Sequence, residues 1–225
     1  DPTIFLVLIG VLLSLWAQNR VNSTFARYSR VRSFSGMTGA EAARRLLNAQ
    51  GIYDVTVQPV SGKLTDHYDP RTKVVKLSES VYNATSVAAI GVAAHECGHA
   101  MQHNEGYGPL RFRSALVPVA NFGSQLSWPM ILLGILLGSP LVQVGILMFS
   151  LAVLFQLVTL PVEFNASSRA VRLLDSQGIL SGEEVDGTRK VLKAAALTYV
   201  AAAAGSVLQL LRLVILFGGR DRDND

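Results

Sequence analysis

The chain has 225 residues, of which 50% are hydrophobic and only 16% are charged, whereas about 25% of the residues are charged in an ordinary soluble protein. Residues 114–162 and 194–211 contain no charged side chain, which argues against a soluble fold and favours a mainly α membrane protein. The net charge of +4 is not arranged with interleaved aromatic residues as in a nucleic-acid groove, so we expect no nucleic acid as a partner.

The first predicted element is a transmembrane anchor at residues 1–17. Its apolar run IFLVLIGVLLSLWA, residues 4–17, ends beside Trp16, a residue type that prefers the membrane–water interface. The run is short for a span of about 20 residues. Because the arginines follow the run, whereas a signal peptide has its basic residues in front, we expect the anchor to be uncleaved.

Residues 18–113 are predicted to form a small water-exposed α+β domain. Thr38 and Glu41 have the spacing of a capping box, and Gly51 ends the helix that follows them. The segment DVTVQPV alternates like a strand, and a second strand is predicted at Lys73–Leu77. The segment TKVVKLS, which contains this second strand, is either an edge strand that could pair with a peptide substrate or an ordinary strand of the sheet.

The same domain contains a long helix that begins near Ser86 and carries the HExxH sequence HECGH. His95 and His99 are four residues apart, so they lie on one helix face. With Glu96 beside the first of them, this arrangement matches half of a zinc site and its general base. Cys97 points off that face and is predicted to be a packing residue. As the single cysteine, it also excludes intrachain disulfides.

A transmembrane hairpin is predicted at residues 114–160. Its two spans are expected at about 116–137 and 141–160, separated by the sequence GSP at residues 138–140. Because this linker is very short and uncharged, the two spans are expected to be neighbours in the membrane.

Polar sequence resumes at residues 161–193, which are predicted to form cytoplasmic helices, and a fourth span follows at 194–217 before the charged tail 218–225. Four spans place both chain ends on one side of the membrane, so that residues 18–113 and 161–193 share the other side. Twelve of the 20 Lys and Arg residues lie between positions 20 and 113. The positive-inside rule therefore predicts a multi-pass cell-membrane protein, embedded in the lipid bilayer, whose active site faces the cytoplasm.

A catalytic zinc ion usually has three protein ligands and one open position, so one ligand is needed beyond the two histidines. His103 continues the series of His95 and His99, but it lies about 6 Å further along the helix axis, and the three cannot converge on one ion. Glu163, which follows the hairpin on the same membrane face, is the predicted third ligand. The alternative for Glu163 is an interfacial carboxylate at the start of a helix.

The segments AAHECGHAMQH and PVEFNASSRA, together with DHYDPRTKVVKLSE and LWAQ, resemble the YugP-like family of neutral zinc metallopeptidases over nearly the whole chain. More distantly, they resemble membrane metallopeptidases of the HtpX and CAAX prenyl protease type. The resemblance implies one catalytic zinc ion (Zn2+) bound by His95, His99 and Glu163. It also implies that Glu96 is the catalytic acid–base.

One position departs from the HtpX type, which has an aspartate four residues after its glutamate ligand. Ser167 stands there in this chain. Asn165 or Ser167 could hydrogen-bond a metal ligand in its place, as the residues around metal centres commonly do.

These residues predict an integral membrane zinc metalloendopeptidase, gluzincin-like, that hydrolyses peptide bonds of protein or membrane-protein substrates at the cytoplasmic surface. Glu96 would take a proton from the attacking water and pass it to the leaving amine. The oxyanion would need one hydrogen-bond donor besides the zinc ion. The candidates for this donor are His103, Tyr68, Tyr199 and Arg169.

Two other classes of function compete with the protease. A metal-bound membrane scaffold or chaperone without proteolytic turnover would have no use for Glu96, and its site would tend to fill all four positions of the metal. A transporter or channel would need ionisable groups within its spans. Apart from Arg212, the predicted spans hold no Asp, Glu, His, Lys or Arg residue, and their polar side chains, among them Gln143, Gln156 and Gln209, are uncharged.

Overall fold

The computed structural model describes residues 1–137 and 139–218. Within them, the chain is mostly helical, with one small three-stranded sheet. It divides into two compact units. The apolar unit comprises Asp1–Gln18, Arg111–Pro161 and the residues from Thr198 onward, and the α+β unit comprises Asn19–Leu110 and Val162–Leu197.

Seven helices and three strands follow one another in the described residues. The helices are α1 (Ile4–Ser29), α2 (Gly39–Ala49), α3 (Glu79–Tyr82), α4 (Val87–Asn104), α5 (Gly108–Leu137), α6 (Ser139–Ser176) and α7 (Glu183–Phe217). The strands are β1 (Thr56–Val60), β2 (His67–Asp69) and β3 (Val74–Ser78), and all three lie between α2 and α3 in the chain.

Helix α2 begins at the predicted capping box, which is confirmed. Thr38 Oγ1 accepts a hydrogen bond from the backbone N–H of Glu41 at 3.2 Å, and the Glu41 carboxylate accepts one from the N–H of Thr38 at 2.8 Å. Gly51 follows the helix with a φ of +68°, a left-handed conformation that suits glycine. Helix α4 begins after Ser86, whose Oγ accepts a hydrogen bond from the N–H of Ala89 at 3.2 Å.

The strand order in the sheet is β1-β3-β2, with β1 parallel and β2 antiparallel to β3. The interpretation of TKVVKLS as an edge strand is therefore wrong, because β3 is paired on both sides. Val74, Val75 and Leu77 of β3 are all buried, as expected for a strand that is covered on both faces. Strand β2 has no signal in the sequence, since three residues within a turn-rich segment show no alternation.

The core of the α+β unit surrounds α4. Ile90 and Ala94 on this helix are fully buried, and they belong to one cluster with Leu46 of α2, Leu77 of β3 and Leu174 of α6. The N-terminal half of α4 therefore packs in a protein core. Burying a large aliphatic side chain favours folding by roughly 1.5–3 kcal/mol. Packing in this core therefore fixes the position of α4 and of the side chains on its other face.

Four helices in the described residues are long and apolar enough to cross a membrane, judged by length and composition: Ile4–Ser29, Gly108–Leu137, Pro140–Ser176 and Glu183–Phe217. This agrees with the predicted number of spans. Only 11% to 28% of the residues in their apolar windows are buried inside the protein. Such exposed apolar surface is expected of helices whose surroundings are lipid.

Helix α6 runs from Ser139 through Pro161 to Ser176. The segments on either side of Pro161, which the sequence predicts as separate helices, form one helix in the structure. Glu163 therefore lies inside a long helix, which continues the second helix of the hairpin. Of the predicted linker at 138–140, Gly138 lies outside the described residues, as do residues 219–225 of the predicted tail.

Within the apolar unit, α5 and α6 approach each other closely at glycines. A Cβ atom on Gly145 would lie 2.9 Å from the carbonyl oxygen of Ser127, and one on Gly123 would lie 2.7 Å from that of Met148. Membrane helices use small residues in this way, because they have little hydrophobic driving force to associate and depend on tight packing. The glycines therefore allow α5 and α6 to pack side by side.

Candidate metal centre

The three predicted ligands meet at one point of the α+β unit. Glu163 Oε2 of α6 lies 3.1 Å from the Nε2 atom of His95 and 3.4 Å from the Nε2 atom of His99, both on α4. The two Nε2 atoms are 3.2 Å apart. Three ligand atoms thus form a nearly equilateral triangle, although Glu163 is 68 residues away from His95 in the chain.

This triangle has the size that a tetrahedral metal ion requires. With metal–ligand bonds of about 2.0–2.1 Å and tetrahedral angles, neighbouring ligand atoms lie about 3.3 Å apart. Glu163 is 3% exposed, whereas the side chains of His95 and His99 are 14% and 13% exposed. The carboxylate therefore closes the buried side of the site, and the two imidazoles leave an accessible side for a fourth ligand.

Gly98, which stands between the two histidines, allows α4 and α6 to approach. A Cβ atom at this position would lie 2.6 Å from the backbone carbonyl oxygen of Ala166 on α6. Any larger residue would hold the two helices apart, and Glu163 lies less than one turn from Ala166. The glycine in HECGH is therefore the local reason that a carboxylate of α6 can reach the histidines of α4.

Gln102 orients His99 and is a site residue that the sequence analysis missed. Its Oε1 atom lies 3.0 Å from His99 Nδ1, and its Nε2 atom donates to the Val162 carbonyl oxygen at 2.8 Å and to Asn165 Oδ1 at 3.0 Å. A carbonyl oxygen can only accept, which fixes the orientation of the amide. His99 Nδ1 must then be the donor to Oε1, so the Nε2 lone pair of the neutral ring points into the site.

The position of Gln102 gives a signal that could have identified it. The residue is fully buried and lies three residues after His99, so it is on the helix face of the ligands. A glutamine there, in an otherwise apolar helix, must find hydrogen-bond partners in the core.

His95 has a corresponding partner on α6. Its Nδ1 atom lies 3.1 Å from the Oγ atom of Ser167, one helical turn after Glu163. Ser167 thus contacts a predicted ligand directly, whereas Asn165 reaches His99 only through Gln102. A hydroxyl therefore stands where the HtpX type has its aspartate, and it can accept a hydrogen bond from the ring N–H.

The electrostatic surroundings of the site favour positive charge. Burial opposes a charge on His99, but the hydrogen bond to Glu163 and the nearby charge of Glu96 outweigh burial and raise the pKa of His99. The same negative surroundings attract a metal cation. Glu96 itself is 8% exposed, and none of the described residues donates a hydrogen bond to its carboxylate, which leaves its oxygens available to a water molecule.

The candidate oxyanion donors have different surroundings. Tyr68 Oη and His103 Nδ1 form a hydrogen bond of 2.8 Å, and burial raises the pKa of Tyr68 to about 12. Arg169 donates to Asn165 at 2.7 Å and forms an ion pair with the carboxylate of Glu105 at 2.8 Å. Tyr199, the fourth candidate, lies in α7.

Cys97 is a packing residue, as predicted. Its side chain is fully buried and its Sγ atom donates to the carbonyl oxygen of Ala43 at 3.6 Å. Burial raises the pKa of the thiol well above its usual range. The thiol therefore stays protonated, which makes it a poor nucleophile.

Comparison with known proteins shows the family of the chain. The chain matches the family described as "Putative neutral zinc metallopeptidase" over residues 3–218. It is 55% identical to "Putative membrane protease YugP" of Bacillus subtilis (strain 168) over 222 residues, which are 98% of this chain and 99% of that protein. No solved structure matches the chain. The resemblance inferred from the sequence is confirmed: the chain belongs to this family of neutral zinc metallopeptidases.

Proposed function

We propose that this protein is an integral membrane zinc endopeptidase that hydrolyses peptide bonds of protein or membrane-protein substrates at the cytoplasmic surface. The observation that carries the proposal is the convergence of His95, His99 and Glu163 within 3.4 Å of one another, beside the buried Glu96. Membership of a zinc metallopeptidase family and the similarity to a protein named as a membrane protease support the same activity.

The residues present fit a catalytic zinc ion. Two imidazole nitrogens and one carboxylate oxygen are the ligand set of many zinc hydrolases, and three protein ligands leave the fourth position open. A zinc ion held there would act as a Lewis acid that lowers the pKa of water and polarises a carbonyl group. His95, His99 and Glu163 would hold it, while Ser167 and Gln102 keep the two rings in the orientation that presents Nε2.

Glu96 is the proposed general base and general acid. Its carboxylate would accept a proton from the water molecule that attacks the scissile carbonyl carbon, and would then deliver that proton to the departing amine nitrogen. A carboxylate without a donor among the described residues is suited to this role, because its oxygens are not already occupied.

The Tyr68–His103 pair is the proposed second donor to the oxyanion. The phenol of Tyr68 stays protonated at neutral pH, since its pKa is about 12, and it can therefore donate a hydrogen bond. With Nδ1 of His103 protonated, the Tyr68 oxygen accepts that hydrogen bond and its own O–H stays available to donate. Arg169 is less suited, because its guanidinium donates to Asn165 and is paired with the carboxylate of Glu105.

The cytoplasmic orientation is part of the proposal and is supported by charge. The α+β unit contains all of the Lys and Arg residues between positions 20 and 110, and basic residues next to membrane spans are retained on the cytoplasmic side. Labelling of Lys63 with a membrane-impermeant amine reagent, compared between intact and opened cells, would test the orientation. Labelling of intact cells would contradict the orientation.

The deciding experiment compares membranes that contain the active protein with membranes that contain the Glu96→Gln variant. New protein N-termini should occur with the active protein alone. Capture of intact partners by both proteins, with no new N-termini, would instead support a metal-bound scaffold or chaperone.

A further inference from the structure

A cavity of about 460 Å³ lies between α1 and α7 of the α+β unit, apart from the metal centre. The residues that line it are Arg20, Ser23, Thr24, Arg27, Tyr28, Lys190, Lys193, Ala194 and Leu197. Four of these nine residues are cations and none is an acid. The cavity therefore carries a high local positive charge. The proposed peptidase mechanism does not use the residues that line it.

The two helices that form the cavity are fixed against each other at one end. A Cβ atom on Gly187 of α7 would lie 2.7 Å from the Tyr28 ring of α1, so the ring packs directly on the helix backbone. On α1, Arg20, Thr24 and Arg27 recur at intervals of three and four residues and therefore share one face. Lys190 and Lys193 share a face of α7 in the same way.

The four cations have no acidic partner among the described residues. Asp186, an acid of the first turn of α7, is paired with Arg189 at 2.6 Å. Arg27 lies over the Tyr28 ring at 5.6 Å from its centroid, a contact that leaves its N–H groups free for another acceptor. Four like charges around one cavity repel one another, so an anion that binds between them is stabilised by all four.

The sequence on both sides of the cavity indicates where such an anion would come from. Before Arg20, α1 has no charged residue back to its start at Ile4, and after Lys193, α7 has none up to Arg212. Each helix thus changes from charged to fully apolar at the cavity. This is the pattern expected at the surface of a membrane, where phosphate groups of lipids lie next to their acyl chains.

We propose that this cavity binds the phosphate group of an anionic phospholipid. Guanidinium and ammonium groups of the four cations would contact the phosphate oxygens, and the Thr24 hydroxyl can donate to them as well. The acyl chains would remain in the lipid bilayer. The site shares no residue with the metal centre. Through it, the lipid composition of the membrane would affect how strongly the α+β unit binds lipid.

The test uses the full chain purified in a neutral detergent and titrated by calorimetry with three probes. These are dioctanoyl phosphatidylglycerol, the zwitterionic dioctanoyl phosphatidylcholine, and inorganic phosphate. The proposal expects saturable binding of phosphatidylglycerol that is clearly tighter than that of the other two. An equal affinity for phosphatidylcholine would overturn the proposal. An affinity for inorganic phosphate equal to that for phosphatidylglycerol would also overturn it, because the ligand would then be free phosphate and not a lipid.

Two double variants locate the binding. Arg20→Gln/Lys193→Gln removes two cations of the cavity and should weaken phosphatidylglycerol binding about 25-fold, at about fivefold per cation. Arg71→Gln/Lys63→Gln removes one arginine and one lysine that are exposed elsewhere in the same unit, and should bind like the unaltered protein. Equal affinity of the two variants would contradict the proposal. If the cavity variant does not fold, the single changes are measured, each with an expected loss of about fivefold.

Discussion

Gly98 of α4 lies against Ala166 of α6, so closely that a Cβ atom at position 98 would be 2.6 Å from the Ala166 carbonyl oxygen. A backbone atom inside a helix cannot move aside as a side chain can. Gly98→Ala should therefore displace α6, destabilise the protein by roughly 1–3 kcal/mol and weaken zinc binding by about tenfold or more, because Glu163 moves with α6. Thermal unfolding and competition with a chelator measure the two effects.

Gly91→Ala is the matched control for this change. It lies two turns earlier on α4, and its Cβ atom would be 2.9 Å from the Thr188 side chain rather than from a backbone atom. This variant should lose some stability and keep its zinc affinity. Equal zinc affinities for the Gly98 and Gly91 variants would show that the helix contact does not set the geometry of the site.

Glu96→Gln should abolish peptide cleavage and keep the metal. The amide has the shape of the carboxylate but cannot accept the proton, so the rate should fall by roughly 100- to 10,000-fold. Metal content by mass spectrometry and a peptidase assay are the measurements. Glu79→Gln, at an exposed position of α3, should leave both unchanged. An active Glu96→Gln protein would remove Glu96 from the mechanism.

His95→Ala should lose the metal, since it removes one of the three converging ligand atoms. Loss of the ion also lowers stability: a ligand at a thousandfold excess over its dissociation constant stabilises the folded state by about 4 kcal/mol. The variant and the chelated protein should therefore unfold at a similarly lowered temperature, with no further effect of chelator on the variant. His67→Ala changes an exposed histidine of β2 and should retain zinc.

Two changes at Gln102 separate orientation of His99 from general packing. Gln102→Met keeps the volume but removes the acceptor for His99 Nδ1–H, and should weaken zinc binding by about 10- to 100-fold. Gln102→Glu keeps that acceptor and loses the donor to the Val162 carbonyl oxygen. The glutamate variant should therefore bind zinc more tightly than the methionine variant. If both bind equally, Gln102 serves only to pack the core.

Tyr68→Phe tests the proposed oxyanion donor. Loss of a donor that acts only in the transition state should lower kcat by about 100-fold and leave KM nearly unchanged. Tyr53→Phe is the control, since Tyr53 is 78% exposed. A rise in KM at constant kcat would assign Tyr68 to substrate binding instead.

Helix periodicity is sufficient to predict the two histidine ligands of the metal centre, whereas the predicted membrane topology is needed to select Glu163. The spacing of His95 and His99 puts both on one face of any α-helix, whatever surrounds it. Glu163 can be selected from the sequence because four predicted spans would place its segment on the same membrane side as α4. The spacing of Gln102 from His99 places it on the ligand face, but its partners, Val162 and Asn165, lie on a different helix, and the local pattern does not indicate that they face it.

The sheet shows the same limit. An alternating or apolar run predicts that β1 and β3 are strands, but the order of strands depends on pairing between distant segments. From its sequence alone, β3 can be interpreted as an edge strand, but it is central because the three-residue strand β2 pairs with its second side. Strands as short as β2 carry too few side chains for a pattern.

The proposed metal ligands are separated by 68 residues in the chain, from His95 to Glu163, so the metal centre is completed late during synthesis. A growing polypeptide that has emerged only as far as α4 carries both imidazoles and Glu96, but its carboxylate ligand is still untranslated. Glu163 follows only after α5 and the first part of α6 have been made. A chain made in this order lacks its proposed third ligand until α5 and the first part of α6 have been translated.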